Sequence, residues 1–406
     1  MSRIPRNSSI ARYSRRALLS CAAVAVAGLL AACAGGGGQA TLDANIPAGG
    51  GGGALQPSEI GTGQVKVALI LPLSASGNAG IAAQSMKNAA ELALAEFSEP
   101  NIQLLVKDDG GTSAGAQFAA QQAMGEGAEI ILGPLFAQSV QAVATSARPG
   151  GIPVIAFSTD SNVASRGVYL LSFLPETDVA RIIAYSIATG KRSFAAMIPD
   201  NAYGTVVEAA FRETVGRHGG RIVALERYPA DRNRMREVAK VVAQSARNAD
   251  ALFIPDGADH VPFILNTLQE AGVNTRQMQL LGTGLWDEPR IFSEAGLHGG
   301  LFAAPDTKGF ASFVQRYRDK YGQEPVRTAT LAYDATALVA ALVKTQGPQR
   351  FSEQVLTNPS GFAGIDGIFR FRNNGTNERG LAVQKVTPAG GEIVSPAPRA
   401  FSGSGT

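Results

Sequence analysis

The sequence predicts an α/β fold made of two doubly wound lobes, each built on a parallel sheet. Three observations support this prediction. From Val65 onward, short apolar segments of strand length alternate with segments of helix length, which is the pattern of right-handed βαβ units. The alternation runs to about residue 177 and then begins again at Asp178. The chain has 406 residues, of which 45% are hydrophobic and 17% charged, so it can bury two cores of ordinary size.

The first series of elements is predicted from apolar runs and from helical spacing. Val65–Leu71 is a short apolar run before Pro72, typical of a buried strand, and Ala82–Phe97 has apolar residues on one helical side. The same criteria predict strands at Ile102–Val106, Glu129–Leu132 and Pro153–Phe157, and helices at Ser113–Met124 and Gln138–Ala147.

The second series repeats this alternation. A helix is predicted over Asp178–Ala188, a strand over Phe194–Ile198 and a second helix over Tyr203–His218. Polar residues after these strands are the candidate site, because ligands bind at the carboxyl ends of parallel strands. The later predicted elements are strands at Ile222–Tyr228, Ala251–Ile254, Gln279–Leu281, Ile368–Phe371 and Ala382–Val386, and helices at Phe310–Tyr321 and Thr328–Lys344.

Residues 1–33 are predicted to be an export signal rather than part of the fold. Five arginines without an acid precede an apolar run, Ala17–Leu30, that is shorter than the ~20 residues of a membrane span. The run leads into the residues LAAC, which resemble a lipobox, so lipid attachment is expected at Cys33. Residues 34–63 are rich in glycine and are expected to form a flexible tether.

The segment Ser14–Leu19 also resembles a twin-arginine export signal, with Leu18 where that signal prefers Phe, so two export routes are compatible with the sequence. Cys21 and Cys33 are the only cysteines, so the mature chain would carry one cysteine and no disulfide. Ala34, rather than an aspartate, follows the lipobox. The expected location is periplasmic and lipid-anchored, at the inner or the outer membrane.

The sequence argues against several function classes. The net charge of +3 comes largely from the arginines of the export signal, and no basic patch typical of nucleic-acid binding is present. Residues 111–115 match the GxSxG motif of hydrolases but lie at a predicted helix start, far from any histidine. His218, His260 and His298 lack the spacing of metal ligands. We therefore expect no enzymatic activity, no metal and no cofactor.

Motifs at the ends of the predicted strands follow one another in a characteristic order. They are Val67–Ser74, Lys107–Asp109, Ile131–Pro134, Pro153–Ile155, Asp200–Gly204, Ala332–Ala335 and Phe362–Gly367. Together they resemble the leucine/isoleucine/valine-binding branch of the type I periplasmic binding proteins, over about residues 65–386. The resemblance implies two lobes joined by three crossings, with a ligand cleft that closes by hinge motion.

The resemblance also implies the domain boundaries. The binding domain is expected at 64–390, with lobe one at about 65–177 plus 305–350 and lobe two at about 178–304 plus 351–390. Residues 391–406, rich in Pro, Gly and Ser, are expected to be a flexible tail.

Amino-acid binders of this family hold the ligand carboxylate with hydroxyl and backbone N–H groups of lobe one, and the ammonium with an acid of lobe two. Two positions depart from that pattern: Asp160 replaces the usual Thr, and Gly284 lies where the acid is expected, so Asp256 or Asp287 would have to supply it. Carried over to this chain, the candidate ligand-binding residues are Ala137, Gln138, Ser158, Thr159, Asp160, Tyr203, Asp256 and Trp286.

Each candidate also has a structural alternative. Ser158 and Thr159 are equally suited to bonding within a turn, and Asp256 precedes Gly257 in a pattern typical of a turn. Asp200 or Asn201 can cap the helix that contains Tyr203. Trp286, the only tryptophan, is either an aromatic at the cleft mouth or a packed core residue.

The resemblance implies a solute-binding component of an ABC-type transporter, with a small amino-acid-like or polar ligand and a transporter permease as partners. A second resemblance gives an alternative. Residues 173–180, FLPETDVA, resemble a segment of outer-membrane lipoproteins of the same fold that activate penicillin-binding proteins in peptidoglycan synthesis. In that case the partner would be a penicillin-binding protein. A periplasmic sensor subunit that reports its ligand to a receptor is a third interpretation.

Overall fold

The computed structural model describes residues 58–401. The predicted export signal with Cys33, residues 34–57 of the predicted tether and the last five residues lie outside the described residues. The prediction of a tether up to residue 63 is wrong for Ser58–Ile60, which form a strand paired with residues 104–106 at the edge of the first sheet.

Lobe one is built on a six-stranded sheet. The chain forms, in order, β1 (Ser58–Ile60), β2 (Val65–Leu71), α1 (Asn78–Glu96), β3 (Ile102–Asp108), α2 (Ser113–Gly125), β4 (Ile130–Leu132), α3 (Ala137–Ala147), β5 (Val154–Ala156) and β6 (Val168–Leu170). The spatial order is β1-β3-β2-β4-β5-β6. All neighbouring strands are parallel except β1, which pairs antiparallel with β3 at one edge.

Both faces of this sheet are covered by helices, which explains why its strands are apolar without alternation. Leu69 of β2 packs into the core that contains Met86 of α1, whereas the adjacent Ile70 packs into the core that contains Val140 of α3. Because successive side chains of a strand point to opposite faces, each buried strand contributes to two cores.

Lobe two repeats this architecture. Its elements are α4 (Pro175–Ala188), β7 (Ser193–Pro199), α5 (Ala202–Arg217), β8 (Arg221–Tyr228), α6 (Arg232–Ala246), β9 (Ala251–Phe253), α7 (Val261–Glu270), β10 (Gln279–Gly282), α8 (Pro289–Phe292) and β11 (Leu301–Ala304). The parallel order is β8-β7-β9-β10-β11, with Phe194 and Met197 of β7 in cores on opposite faces. The α/β fold with parallel sheets in two lobes is thus confirmed.

After lobe two the chain returns to lobe one with α9 (Thr307–Tyr321), α10 (Ala329–Thr345), α11 (Glu353–Leu356) and a small antiparallel sheet of β12 (Phe362–Gly364), β13 (Gly367–Phe371) and β14 (Asn377–Arg379). Residues 351–379 were expected in lobe two. They pack on lobe one instead, because Phe369 and Phe371 insert into its core, where Phe371 lies 5.3 Å from the ring of Tyr169.

The chain ends the fold in lobe two with a hairpin of β15 (Ala382–Thr387) and β16 (Gly390–Ser395). β15 pairs antiparallel with β11, and β16 forms the edge of the sheet. The expectation of a flexible tail from residue 391 is therefore wrong for residues 391–395. Gly390, at φ 122°, provides the turn, and Ser395 Oγ accepts a hydrogen bond of 2.7 Å from Arg181 Nη2.

The chain crosses between the lobes at residues 171–174, 305–306 and 380–381. The first two crossings follow the carboxyl ends of β6 and β11, so the carboxyl edges of both sheets meet at the hinge. Short 3₁₀ turns lie at Arg148–Gly150, Ser161–Val163, Gly284–Trp286, Ala295–Leu297 and Gly347–Gln349. Within residues 58–401, no helix is both long and apolar enough to cross a membrane.

Candidate functional site

The carboxyl edge of the lobe-two sheet, which is the expected lobe-two wall of the cleft, is formed by residues that follow β7, β8, β9 and β10. Tyr203 is placed by the start of α5, which Asn201 caps by accepting a 2.8 Å hydrogen bond from the backbone N–H of Gly204. The hydroxyls of Tyr203 and Thr283 are 2.9 Å apart and share a hydrogen bond. Burial raises the pKa of Tyr203 well above its ordinary value, so this hydroxyl remains protonated and able to donate.

Asp256, after β9, organises a second hydrogen-bonded group on the same wall. Its Oδ2 accepts a 2.6 Å hydrogen bond from the hydroxyl of Tyr228 and lies 3.0 Å from Nδ1 of His260. Its Oδ1 accepts a 2.7 Å bond from the N–H of Gly257. Both carboxylate oxygens are thus engaged within the protein. Asp256 holds a turn and two neighbouring rings together, which is the structural alternative that the sequence offered.

A carboxyl group does lie beside Gly284, and it belongs to Asp178 in the first turn of α4. Its Oδ2 accepts a 2.9 Å hydrogen bond from the N–H of Gly284. A Cβ atom at position 284 would lie only 3.0 Å from that oxygen, so the absence of a side chain there makes room for the carboxyl group. Burial raises the pKa of Asp178 to about 7. Two features of the sequence could have indicated this contact: a glycine stands where an acid is expected, and Asp178 near the hinge had no assigned role.

The predicted lobe-one residues after β5 bond largely among themselves. Ser158 is buried, and its Oγ accepts a 3.1 Å hydrogen bond from the N–H of Asp160. Asp160 Oδ1 accepts 3.0 Å and 2.8 Å bonds from the backbone and side-chain nitrogens of Asn162, capping the short turn that follows. Thr159 is exposed between them. Of these three, only Thr159 offers a side chain that is free of described hydrogen bonds.

The loops after β3 and β4 are tied together. Ala137 is the first residue of α3, and Gln138 Nε2 donates a 3.2 Å hydrogen bond to the carbonyl oxygen of Gly111. Asp108, which was not among the predicted ligand-binding residues, accepts bonds on Oδ1 from the N–H groups of Ser74 at 3.1 Å and Gly110 at 2.9 Å. Burial opposes its ionisation, yet these bonds lower the pKa of Asp108, so a charged carboxylate lies at this edge.

Trp286 does not line the cleft surface. The indole is fully buried in the lobe-two core, beneath Gly282 and Gly300, whose missing side chains leave the space for it. Of the two interpretations of Trp286, the structure agrees with a packed core residue and not with an aromatic at the cleft mouth. Asp287 follows it and is exposed.

The hinge beside the cleft holds a polar group sandwiched between aromatic rings. Arg327, before α10, donates hydrogen bonds of 2.9 Å and 2.6 Å to the two carboxylate oxygens of Asp366, which is fully buried. The guanidinium lies 4.7 Å from the ring centroid of Phe173 and 4.3 Å from that of Phe310. Thr330 Oγ1 donates a further 2.7 Å bond to Asp366.

A second arginine, Arg379, lies beside this pair and is buried. Arg379 Nε donates a 2.9 Å hydrogen bond to the carbonyl oxygen of Ser172 in the first crossing. Its Nη1 and Nη2 are buried without a hydrogen-bond partner among residues 58–401. Burial raises the pKa of Asp334 to about 7, and the charge of Arg379 opposes that rise. The hinge therefore contains ionisable side chains close to the crossings, namely Arg327, Asp334, Asp366 and Arg379.

The described residues offer no constellation for catalysis at the GxSxG motif. Ser113 begins α2, and Thr112 caps that helix by accepting a 3.0 Å hydrogen bond from the N–H of Gly115. Over residues 58–401, no group of three or more His, Cys, Asp or Glu side chains is placed to hold a metal ion. The site consists of hydroxyl, carboxyl and backbone N–H groups, which suit reversible binding of a small molecule.

The fold and this cleft define a binding protein of two lobes, and comparison with known families agrees. The family model described as periplasmic binding protein matches residues 64–392, so the chain belongs to that family. The predicted resemblance to type I periplasmic binding proteins is confirmed. No curated protein sequence matches the chain.

Solved structures share the fold at low sequence identity. A protein of Rhodospirillum rubrum ascribed to branched-chain amino acid ABC transport is 20% identical, with a TM-score of 0.72 over 81% of this chain and 99% of that one. A solute-binding protein of Rhodopseudomonas palustris, in complex with 3,4-dihydroxybenzoic acid, is 21% identical, with a TM-score of 0.58 and 83% and 97% covered. The substrate-binding protein LivJ of Streptococcus pneumoniae, in complex with isoleucine, is 20% identical, with a TM-score of 0.55 and 82% and 99% covered.

Proposed function

We propose that the chain is the solute-binding component of an ABC-type transporter and binds a small polar ligand in its cleft. The observation that carries the proposal is the polar wall of lobe two, where Tyr203, Thr283 and Asp178 converge at the carboxyl edge of the sheet. This edge faces the hinge, which is where two-lobed binding proteins enclose their ligands. The ligands named for two structural neighbours, isoleucine and 3,4-dihydroxybenzoic acid, support a small ligand, although both carry a carboxylate.

The charges around the cleft favour a ligand that donates hydrogen bonds over one that presents a carboxylate. Asp108 and Asp160 lie at the lobe-one edge, and Asp178 lies on lobe two. A ligand carboxylate beside these groups would be repelled, whereas ammonium, amide or hydroxyl donors would be accepted. Ser158, the hydroxyl expected to bind a carboxylate, is turned into its own loop. We therefore infer an amine, amide or polyol as the ligand class.

Thermal unfolding of the purified full chain against a panel of compounds tests this function. The panel contains isoleucine, 4-hydroxybenzoate, aliphatic amines, amides, polyols and dipeptides. A ligand at ~100 times its Kd adds about 2.7 kcal/mol of stability, which moves the midpoint visibly. We expect a shift with a donor-rich compound and a smaller one with 4-hydroxybenzoate. Tyr203→Phe should weaken the shift, whereas Tyr185→Phe, a half-buried tyrosine of α4, should leave it unchanged.

If no compound of the panel shifts the thermal midpoint, solute binding is contradicted. A protein partner such as a penicillin-binding protein would then be the function to test. The segment at 173–180 that suggested this alternative has roles inside the fold itself. Phe173 packs on Arg327, Leu174 is buried, and Asp178 bonds Gly284. Because the hinge of this fold accounts for these residues, the segment gives no separate support to a protein partner.

We also propose that the protein is periplasmic and anchored through a lipid on Cys33. The family supports the periplasm, and the residues LAAC with the glycine-rich stretch after them support the anchor. Cys33→Ser should move the protein from the membrane fraction to the soluble fraction of cells. Cys21→Ser, which alters the other cysteine, should leave it with the membranes. Membrane association of the Cys33→Ser variant would contradict the anchor.

A further inference from the structure

Lobe one contains a second cavity, at the opposite edge of its sheet from the cleft. The cavity has a volume of about 310 Å³ and lies beside Val154 and Val168, the first residues of β5 and β6. The cleft begins where the same strands end. The two spaces therefore open at opposite edges of the sheet, and a molecule bound in one does not contact the other.

Apolar side chains and charged side chains share the walls of this cavity. Ala144 and Ala147 of α3 form one side, and Ile152 and Phe351 are among the other apolar side chains that line it. A dry apolar cavity of about 150 Å³ holds a benzene molecule. The volume here is roughly twice as large and is partly open to solvent, so a six-membered ring fits with a polar substituent at the open side.

The rim of the cavity carries one uncompensated positive charge. Arg166 and Glu353 form an ion pair, with a 2.7 Å hydrogen bond from Nε to Oε2, and so neutralise each other. Arg148 also lines the cavity, and its guanidinium has no ion-pair or hydrogen-bond partner among residues 58–401. Tyr169 lines it as well. Burial and then the charge of Glu353 raise the pKa of Tyr169, so its hydroxyl stays neutral.

We propose that this cavity is an accessory site for a small carboxylate with a compact apolar body. The apolar walls take the ring or chain, and Arg148 takes the carboxylate by a charge-assisted hydrogen bond. A single negative charge matches the single unpaired guanidinium, whereas a dianion such as a phosphate monoester would meet the carboxylate of Glu353. The site is independent of the solute proposed for the cleft.

Calorimetric titration of the full chain with cyclohexanecarboxylate and with the neutral cyclohexanecarboxamide tests the site. We expect the carboxylate to bind more tightly. Arg148→Gln should weaken the carboxylate roughly tenfold, the order of a lost charge-assisted hydrogen bond, and leave the carboxamide unchanged. Arg192→Gln is the matched control, because Arg192 is an exposed arginine of lobe two that lines neither space. Equal affinities of the two compounds, or no effect of Arg148→Gln, would overturn the proposal.

A steric variant locates the binding independently of charge. Ala144→Leu fills the cavity and should abolish binding of both compounds, whereas Gln141→Leu, on the exposed side of the same helix, should leave it intact. Tyr203→Ala, in the cleft, should also leave it intact. Loss of binding in the cleft variant with retention in Ala144→Leu would place the carboxylate in the cleft and overturn the accessory site. Such a result would leave the solute-binding function of the cleft standing.

Discussion

Asp178 and Gly284 contact each other because glycine has no Cβ atom to occupy the space beside the carboxyl group. The carboxyl group lies in the first turn of α4, where the positive end of a helix dipole favours an anion. Burial acts in the opposite direction and dominates, raising the pKa of Asp178 to about 7. The group therefore changes its charge close to neutral pH, beside the hydroxyl of Tyr203, on the wall where a ligand would bind.

The pH dependence of stability follows from this shift. The pKa of Asp178 is about 7 in the fold and 3.8 ordinarily. Between these values the folded chain binds more protons than the unfolded chain, so the contribution of this group to stability is lost as the pH rises through that window. Asp178→Asn cannot ionise and keeps an acceptor for the N–H of Gly284. Its free energy of unfolding relative to wild type should rise from pH 4 to pH 7, by at most about 1.4 kcal/mol per pH unit, and level off above.

Urea denaturation across pH 4 to 8 measures this difference. Asp334, whose pKa burial also raises to about 7, titrates in both proteins, so its contribution cancels. Asp306→Asn is the control, because Asp306 caps α9 and asparagine caps equally well. A constant difference between Asp178→Asn and wild type over the whole range would show that Asp178 ionises normally in the fold.

Single residues of the site were only partly predictable from the sequence. The position of Tyr203 at the carboxyl edge of the lobe-two sheet was predictable, because helix start and strand end are both visible in the sequence, and its ligand-binding role stays a prediction. The orientations of Ser158 and Trp286 were not predictable. A hydroxyl or an indole at a strand end can turn inward or outward, and the packing around it determines which. Asp178 escaped notice because it acts 106 positions away from Gly284.

Among the elements, the hinge crossings show how polar groups are held where two lobes meet. Arg327 lies between two phenylalanine rings and donates hydrogen bonds from both terminal nitrogens to Asp366, which is fully buried. This geometry joins the start of α10 to the turn between β12 and β13. A planar, bidentate contact of this type requires arginine, since lysine offers a single point charge.

Removing one partner of the Arg327–Asp366 pair should lower the free energy of unfolding. Arg327→Met leaves the buried carboxylate of Asp366 with only Thr330 as a side-chain partner, and we expect a loss of about 2 kcal/mol in the free energy of unfolding. The loss is below the ~3–5 kcal/mol of a fully buried pair because the Arg327 side chain is 38% exposed. Combining Arg327→Met with Asp366→Asn should lose less than the sum of the single variants.

Urea denaturation of the two single variants and the double variant measures this coupling. Arg290→Met provides the matched control, because Arg290 pairs with Asp259 on the surface, where the side chains are 61% and 75% exposed. Such a pair contributes less than about 1 kcal/mol. Strictly additive losses in the double variant would mean that Arg327 and Asp366 do not stabilise each other.

The sequence predicted elements well where a single physical rule governs them. Strands buried on both faces are continuously apolar, so β2 and β7 were predicted within a residue of their ends. The small sheet was assigned to the wrong lobe because a strand's pattern shows which side is buried, not against which core it packs. β16 was missed since its glycines and the prolines that follow it indicate a tail, while its pairing with β15 depends on a turn and on Arg181.

At the scale of the whole molecule, three crossings leave two sheets whose carboxyl edges face the hinge. Three connections resist twisting of one lobe against the other but allow opening and closing about one axis. The acids of the cleft lie on both lobes, Asp108 on one and Asp178 on the other. A donor-rich ligand that contacts both carboxyl groups would bind the closed arrangement better than the open one, so binding should favour closure.

Distance measurements between spin labels test this closure. Thr159→Cys on lobe one and Leu285→Cys on lobe two are exposed at the cleft edges, and Cys21→Ser with Cys33→Ser removes the native thiols. With the panel compound that shifts the thermal midpoint most, the distribution between the labels should become shorter and narrower, since a ligand selects the state that it binds better. A pair within lobe two, Leu285→Cys and Val241→Cys, should not change. An unchanged distance distribution across the cleft would mean that the protein binds its ligand without closing, and that the angle between the lobes at the hinge is fixed.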